Sequence, residues 1–128
     1  MRFANILAGF NLNGAADNAD ACIGPVKVGK TWSSSNLVAG AQDSGAAGFG
    51  AGDTLQSIDN NPMLVARIAS ITIGGKVIDS DQGINGFVSQ QIDLLRIAGR
   101  KISLTSGPSN DTSKLLPGLA KVYVEEVS

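Results

Sequence analysis

Two groups of side chains in this sequence are of a type and spacing that could do chemistry. Acidic and amide residues crowd two stretches, with Asp17, Asn18 and Asp20 in the first and Asp43, Asp53, Asp59, Asn60 and Asn61 in the second. Calcium gathers several oxygen ligands of this kind, which makes Asp43, Asp53 and Asp59 candidate calcium ligands. Neither the EF-hand spacing nor the short repeat of calcium-binding β-rolls is present, and the competing reading is that Asn and Asp form turns in solvated loops. The second group is basic: Lys27, Lys30, Lys76, Arg96, Arg100 and Lys101. These are candidates for contact with an anionic ligand wherever the fold brings them together.

What is missing narrows the chemistry. The chain contains no histidine and one cysteine, Cys22, so it offers neither Ser-His nor Cys-His catalysis nor a cysteine-based zinc site. Cys22 has no partner for a disulfide within the chain, and a free cysteine most often serves as a small buried apolar side chain. Ten Lys plus Arg against eleven Asp plus Glu leave a net charge of -1, which supplies no electrostatic basis for nucleic-acid binding. No run approaches the roughly 20 apolar residues that span a bilayer, so no membrane span is expected. The opening "MRFANILAGFNLNGAA" is too polar for the apolar core of a signal peptide and by itself points to the cytoplasm. Arg67, Lys76, Arg96 and Arg100 could act as bases in a calcium-dependent lyase of acidic polysaccharides. No carboxylate pair marks a hydrolase, however, and "GAAGFGAG" lacks the strand and helix that flank a dinucleotide fingerprint. The chain is read as non-enzymatic.

The elements that must position these residues are short. Sixteen glycines and brief runs of Ile and Val disfavour helices and suit strands. The best helix candidate, "TSKLLPGLAK" from residue 112, is held to about one turn by Pro117 and Gly118. Sliding the chain against itself aligns "IGPVKVGKTW", "IASITIGGKV" and "IDLLRIAGRK", so that Ile23, Val26 and Val28 match Ile68, Ile71 and Ile73, then Ile92, Leu95 and Ile97. A second segment recurs between these, as "NILAGF", "NLVAGA" and, keeping only the apolar pair Phe87 and Val88, "INGFVSQ". Within the first motif Ile71 and Ile73 share a face by period two, whereas Ile68 sits three residues back, which implies a bend.

Like turns that cannot bury their own apolar residues form a continuous core when stacked. The prediction is a single all-β domain: a short right-handed parallel β-helix, or solenoid, of about three coils (roughly 1–32, 33–78 and 79–104) with a cap at 105–128. A β-sandwich is the alternative, since short strands with frequent turns suit it as well. The insertions fall at one point of the repeat and so emerge as long loops on one side. "KVYVEEVS" alternates as a closing strand with one face exposed. Stacking sets Lys27 and Arg96 outward with Thr72 between them, and Lys76 and Arg100 at the turn after the glycine. Equivalent side chains on stacked strands lie about 4.8 Å apart, close enough for a positive stripe that meets an acidic polysaccharide. The competing role for such charges is to keep sheet edges from aggregating. Trp32 and Phe87 read as core, while Phe49, isolated among glycines, must insert into this domain, a second subunit or a ligand, and is an interface candidate.

The phrasing "NILAGF", "IGPVKVGKTW", "SNLVAGA", "RIASITIGGKVI", "GFVSQQIDLLRIAGRKISLTSGPSND" and "VYVEEV" resembles the C-terminal repeats of long glycine-rich bacterial surface proteins of β-helical character. The resemblance implies a solenoid, a cell-surface location and a structural role, and it brings no catalytic motif. Residue pattern and resemblance together lead to a structural or interaction module that self-associates as a homo-oligomer. Binding or cleavage of an acidic polysaccharide, with calcium as a possible cofactor, is the rival.

Overall fold

The computed structural model describes residues 1–44, 48–79 and 83–128, and among these the chain is all-β without a helix. In chain order the strands are β1 (Asn5–Ala8), β2 (Cys22–Val28), β3 (Trp32–Ser33), β4 (Asn36–Ala39), β5 (Ala41–Gln42), β6 (Thr54–Leu55) and β7 (Arg67–Ile73). They continue as β8 (Val77–Ile78), β9 (Asn85–Ser89), β10 (Gln91–Ile92), β11 (Leu95–Ile97), β12 (Arg100–Lys101), β13 (Lys114–Leu115) and β14 (Val122–Glu126). The first sheet runs β1-β4-β9-β14, all parallel, with β13 antiparallel at its end. In the second, β7 lies between β2 on one side and β10 and β11 on the other, all parallel, and β12 folds back against β11. A third pairs β3 with β8 in parallel, and the antiparallel ribbon β5–β6 lies within the long insertion. Among the described residues no sheet closes into a barrel.

The aligned segments of the sequence are neighbours in space. Ile23 and Ile92 both pair with Ile68, Val26 and Leu95 with Ile71, and Val28 and Ile97 with Ile73. Period two then sends the residues of each row to one side, and Ile68, Ile71, Ile73, Ile92 and Leu95 are fully buried in one cluster with Leu37, Phe87 and Val124. Trp32 belongs to it too, its ring tilted on Phe87 at 5.1 Å and its Nε1 donating to Ser35 O at 3.1 Å. A smaller cluster covers the other face of the first sheet, where Val38, Val88 and Val127 pack beneath Phe10, Phe49 and Leu55.

Polar groups fix the same register. Asn36 Nδ2 donates to Asn5 Oδ1 at 2.7 Å, while Asn36 Oδ1 accepts from Gly86 N at 2.9 Å and Asn85 Nδ2 at 3.3 Å. This amide ladder ties β1, β4 and β9 together. At the corner after β4 the glycine of "NLVAG" is obligatory: Gly40 has φ +68°, and a Cβ there would lie 2.3 Å from Ala19 O and 2.6 Å from Ala66 Cβ.

Two expectations fail in the C-terminal segment. "TSKLLPGLAK" forms β13 and turns, not a helix, because Lys114 and Leu115 find backbone partners on β14. β14 is not half-exposed: β9 flanks it in parallel from Val122 to Glu126, and Glu125 and Glu126 are buried. Their carboxylates are tolerated there because they accept backbone N–H groups. Glu126 takes Ile92 N at 2.9 Å, Asn110 N at 3.1 Å and Asp111 N at 3.3 Å, and Glu125 takes Ser113 N at 2.5 Å.

Removing the side chain at the centre of a buried row tests this packing. Ile71→Ala is expected to lower unfolding stability in urea by about 2–5 kcal/mol, the range for truncating a fully buried aliphatic. Val26→Ala, in the same row but on the half-buried edge strand, should lose clearly less.

Candidate functional site

The basic residues divide into two sets. Lys27 and Arg96 flank Thr72 in register on β2, β7 and β11, and Lys101 on β12 lies opposite Arg96, so the row Lys27, Thr72, Arg96, Lys101 crosses the second sheet. All three cations are exposed. Arg96 and Lys101 are like charges on directly opposed residues, an arrangement that destabilises a sheet slightly unless an anion intervenes. Arg100 does not stack over Lys76 as the alignment implies. Ala98 and Gly99, both at positive φ, turn the chain back so that Arg100 pairs with Ile97. The repeat therefore ends at Ile97.

That hairpin nevertheless brings Arg100 and Lys101 to the same cleft as Lys76. The cleft has a volume of about 790 Å3 and is walled by the β11–β12 hairpin and by the segment from Lys114 to Leu119. Lys114 completes its ring of four cations, and Val77, Ile97, Ile102, Leu115, Leu116 and Leu119 supply an aliphatic lining. Lys114 Nζ pairs with Asp111 Oδ1 at 3.2 Å and donates to Ser103 O. The other ion pair among the described residues joins Arg67 to Asp93 at 3.3 Å, which leaves Lys76, Arg100 and Lys101 without an acidic partner there. Lys30 sits apart, bordering a separate concavity of about 550 Å3 with Arg2 and Asp79.

The acidic candidates do not assemble. Among the described residues no group of three Asp, Glu, Cys or His side chains is placed to hold a metal ion. Asp59 is exposed at a positive-φ turn position. Asp53 is buried, with Oδ2 accepting from Gly50 N at 2.8 Å and Oδ1 without a hydrogen-bond partner. Burial raises its pKa from 3.8 to about 6, opposed by the Gly50 amide and reinforced by the charge of Asp43 and, more weakly, of Glu125.

Phe49 inserts into its own domain. Its ring meets Phe10 edge-on at 6.0 Å, above the smaller apolar cluster. The glycines beside it let the loop lie flat on the first sheet: a Cβ on Gly86 would come within 3.3 Å of Gly50 Cα and 2.6 Å of Tyr123 O. Gly45, Ala46 and Ala47 of that loop lie outside the described residues. Cys22 is exposed, not buried, because it opens the edge strand β2, where no further strand covers it.

The two sides of these sheets differ. On the C-terminal side β12 and β13 fold back antiparallel against β11 and β14, and the buried acids accept further backbone N–H groups. On the other side, among the described residues, β1 pairs only with β4 and β2 only with β7. Ala4 O and Ala8 O accept from Asn36 N and Gly40 N, so by the alternation of a strand the backbone groups of Asn5 and Leu7 point to the open side. Comparison with family models, with curated proteins and with solved structures returned no match to this chain.

Sequence reasoning missed Lys114 and the buried carboxylates. The amide ladder had a visible signal, Asn5, Asn36 and Asn85 each at the start of a strand, obscured by the extra glycine in "NGFV".

Because the folded chain holds the Asp53 proton more tightly than the unfolded chain, this group favours the fold below about pH 4. That contribution is lost as pH rises through about 6. Asp53→Asn is expected to raise the melting temperature by several degrees at pH 7.5 and to leave it unchanged near pH 4. Equal effects at both pH values would contradict the burial argument.

Proposed function

We propose that the chain is a non-enzymatic assembly module, a short right-handed β-solenoid of three turns that pairs with a second copy through the free edge of β1. The observation that carries this reading is the difference between the two ends: at one the outermost strands β12 and β13 are two-residue antiparallel returns, and at the other β1 and β2 each keep one side without a strand partner among the described residues.

Of the two free edges, β2 is blunted. Pro25 there has no N–H to donate and Lys27 is exposed, both devices that keep an edge from pairing. By contrast, β1, with the sequence NILA, carries neither charge nor proline. Exposed Phe3 and Leu12 flank it in sequence. Two copies meeting by the same edge are related by a two-fold axis, and their β1 strands run antiparallel across it. Since the opposite end is closed, the association stops at a dimer and does not extend to a filament. An edge of four residues supports a weak contact that forms and dissociates with concentration. The resemblance to repeats of bacterial surface proteins accords with an assembly role at a cell surface.

Light scattering on the chain over a range of concentrations is expected to approach twice the 13.1 kDa chain mass and no more. Leu7→Pro deletes an N–H on the open side, and Leu7→Ala keeps it while removing the same packing. The proline variant should stay monomeric where the alanine variant still dimerises. Monomer at every concentration, or equal behaviour of the two variants, would sink the reading.

A further inference from the structure

The cleft at the closed end of the stack lies away from the β1 edge and plays no part in self-association. Four of the ten basic residues of the chain line it, Lys76, Arg100, Lys101 and Lys114, and no acidic residue among the described ones does. In a protein of net charge -1 this is a local reversal of sign. Only Lys114 has an acidic partner among the described residues, so three cations face the cleft uncompensated. Their like charges repel one another across the cleft, and an anion between them relieves that repulsion.

The lining between the cations decides what kind of anion fits. Ile97, Ile102 and Leu119 are half-buried against the core, and Leu115 is 43% exposed. Among the described residues no aromatic side chain lines the cleft, and Ser103 contributes the one hydroxyl. A sugar polymer is held by stacking on aromatic faces as well as by hydrogen bonds, and apart from its cations and one hydroxyl the described lining is aliphatic. An alkyl chain is held by aliphatic contact alone. The volume, about 790 Å3, falls within the range of small-molecule sites, which pair an apolar lining with a few placed polar groups.

We infer that this cleft binds a single-chain anionic amphiphile, an alkyl carboxylate whose head meets Lys76, Arg100 and Lys101 and whose chain lies along Ile97, Ile102 and Leu119. The acidic head selects the site by charge, and the aliphatic body excludes acidic polysaccharides. Lys114, already engaged by Asp111 and Ser103 O, holds the far wall in place.

Titration calorimetry with decanoate, decanol and polygalacturonate tests this, alongside backbone amide shifts of the unaltered chain. Decanoate should bind saturably and shift the amides of Ala98, Ile102 and Leu119, while decanol, with the same body and no charge, should bind about tenfold more weakly or worse. The Lys76→Glu, Arg100→Glu double variant changes two exposed side chains and should keep its circular dichroism spectrum while losing decanoate binding. No saturable binding of decanoate, equal binding of decanol, shifts mapping elsewhere, or a double variant that binds as well would each overturn the inference. So would binding of polygalacturonate without decanoate. Because the cleft and β1 lie at opposite ends, a failure here leaves the dimer untouched, and a failure of dimerisation leaves this result untouched.

Discussion

The aliphatic side chains of β7 are buried only because parallel strands lie against it in register on both sides. Ile68, Ile71 and Ile73 reach full burial because β2 flanks them on one side and β10 and β11 on the other. The counterparts on the outer rung, Ile23, Val26 and Val28, stay half-exposed with the same chemistry, since they have a neighbour on one side alone. Register cannot slip by one residue without turning every one of these side chains to the other face. The amide ladder through Asn5, Asn36 and Asn85 adds a polar lock to the apolar one, and Gly40 lets the chain turn where the rungs approach most closely.

From that constraint follows the contrast between the ends. A parallel sheet must stop somewhere, and its outermost strand has an unsatisfied edge. At the C-terminal end the chain satisfies it internally, by folding β12 and β13 back antiparallel and by offering the carboxylates of Glu126, Glu125 and Asp111 to loose backbone N–H groups. Wrapping this end in two hairpins also creates the cleft with its four cations, so closure and ligand site have one origin. At the β1 end no strand among the described residues pairs with its outer side, and the proposed dimer supplies a partner from outside.

The register of the repeats was legible from the sequence because it rests on a period: three segments with the spacing I-x-x-φ-x-φ align in only one way. Trp32 and Phe87 were legible as core for the same reason. The closing strand in "KVYVEEVS" was legible too, as β14, but β12 and β13 were not, because they are two residues long and owe their conformation to β11 and β14, not to their own propensity. Lys114 was assigned to a helix fragment on local pattern, and its contact with Asp111 arises only after β13 pairs. Arg100 was misplaced by carrying the alignment past the turn at Ala98 and Gly99, where the chain reverses. The buried acids violate the usual rule for charged residues, and no spacing in the sequence marks the backbone groups that receive them. Phe49 inserts against Phe10, which ends the recurrent segment "NILAGF", and no sequence pattern links the two.

Backbone nuclear Overhauser contacts at Thr72 probe the parallel in-register stack most directly. The account predicts simultaneous contacts from the Thr72 region to Lys27 on one side and Arg96 on the other, in the Hα-to-amide pattern of parallel strands. Close Hα-to-Hα contacts between Ile71 and Leu95, the mark of antiparallel pairing, or contact with one neighbour only, would contradict it.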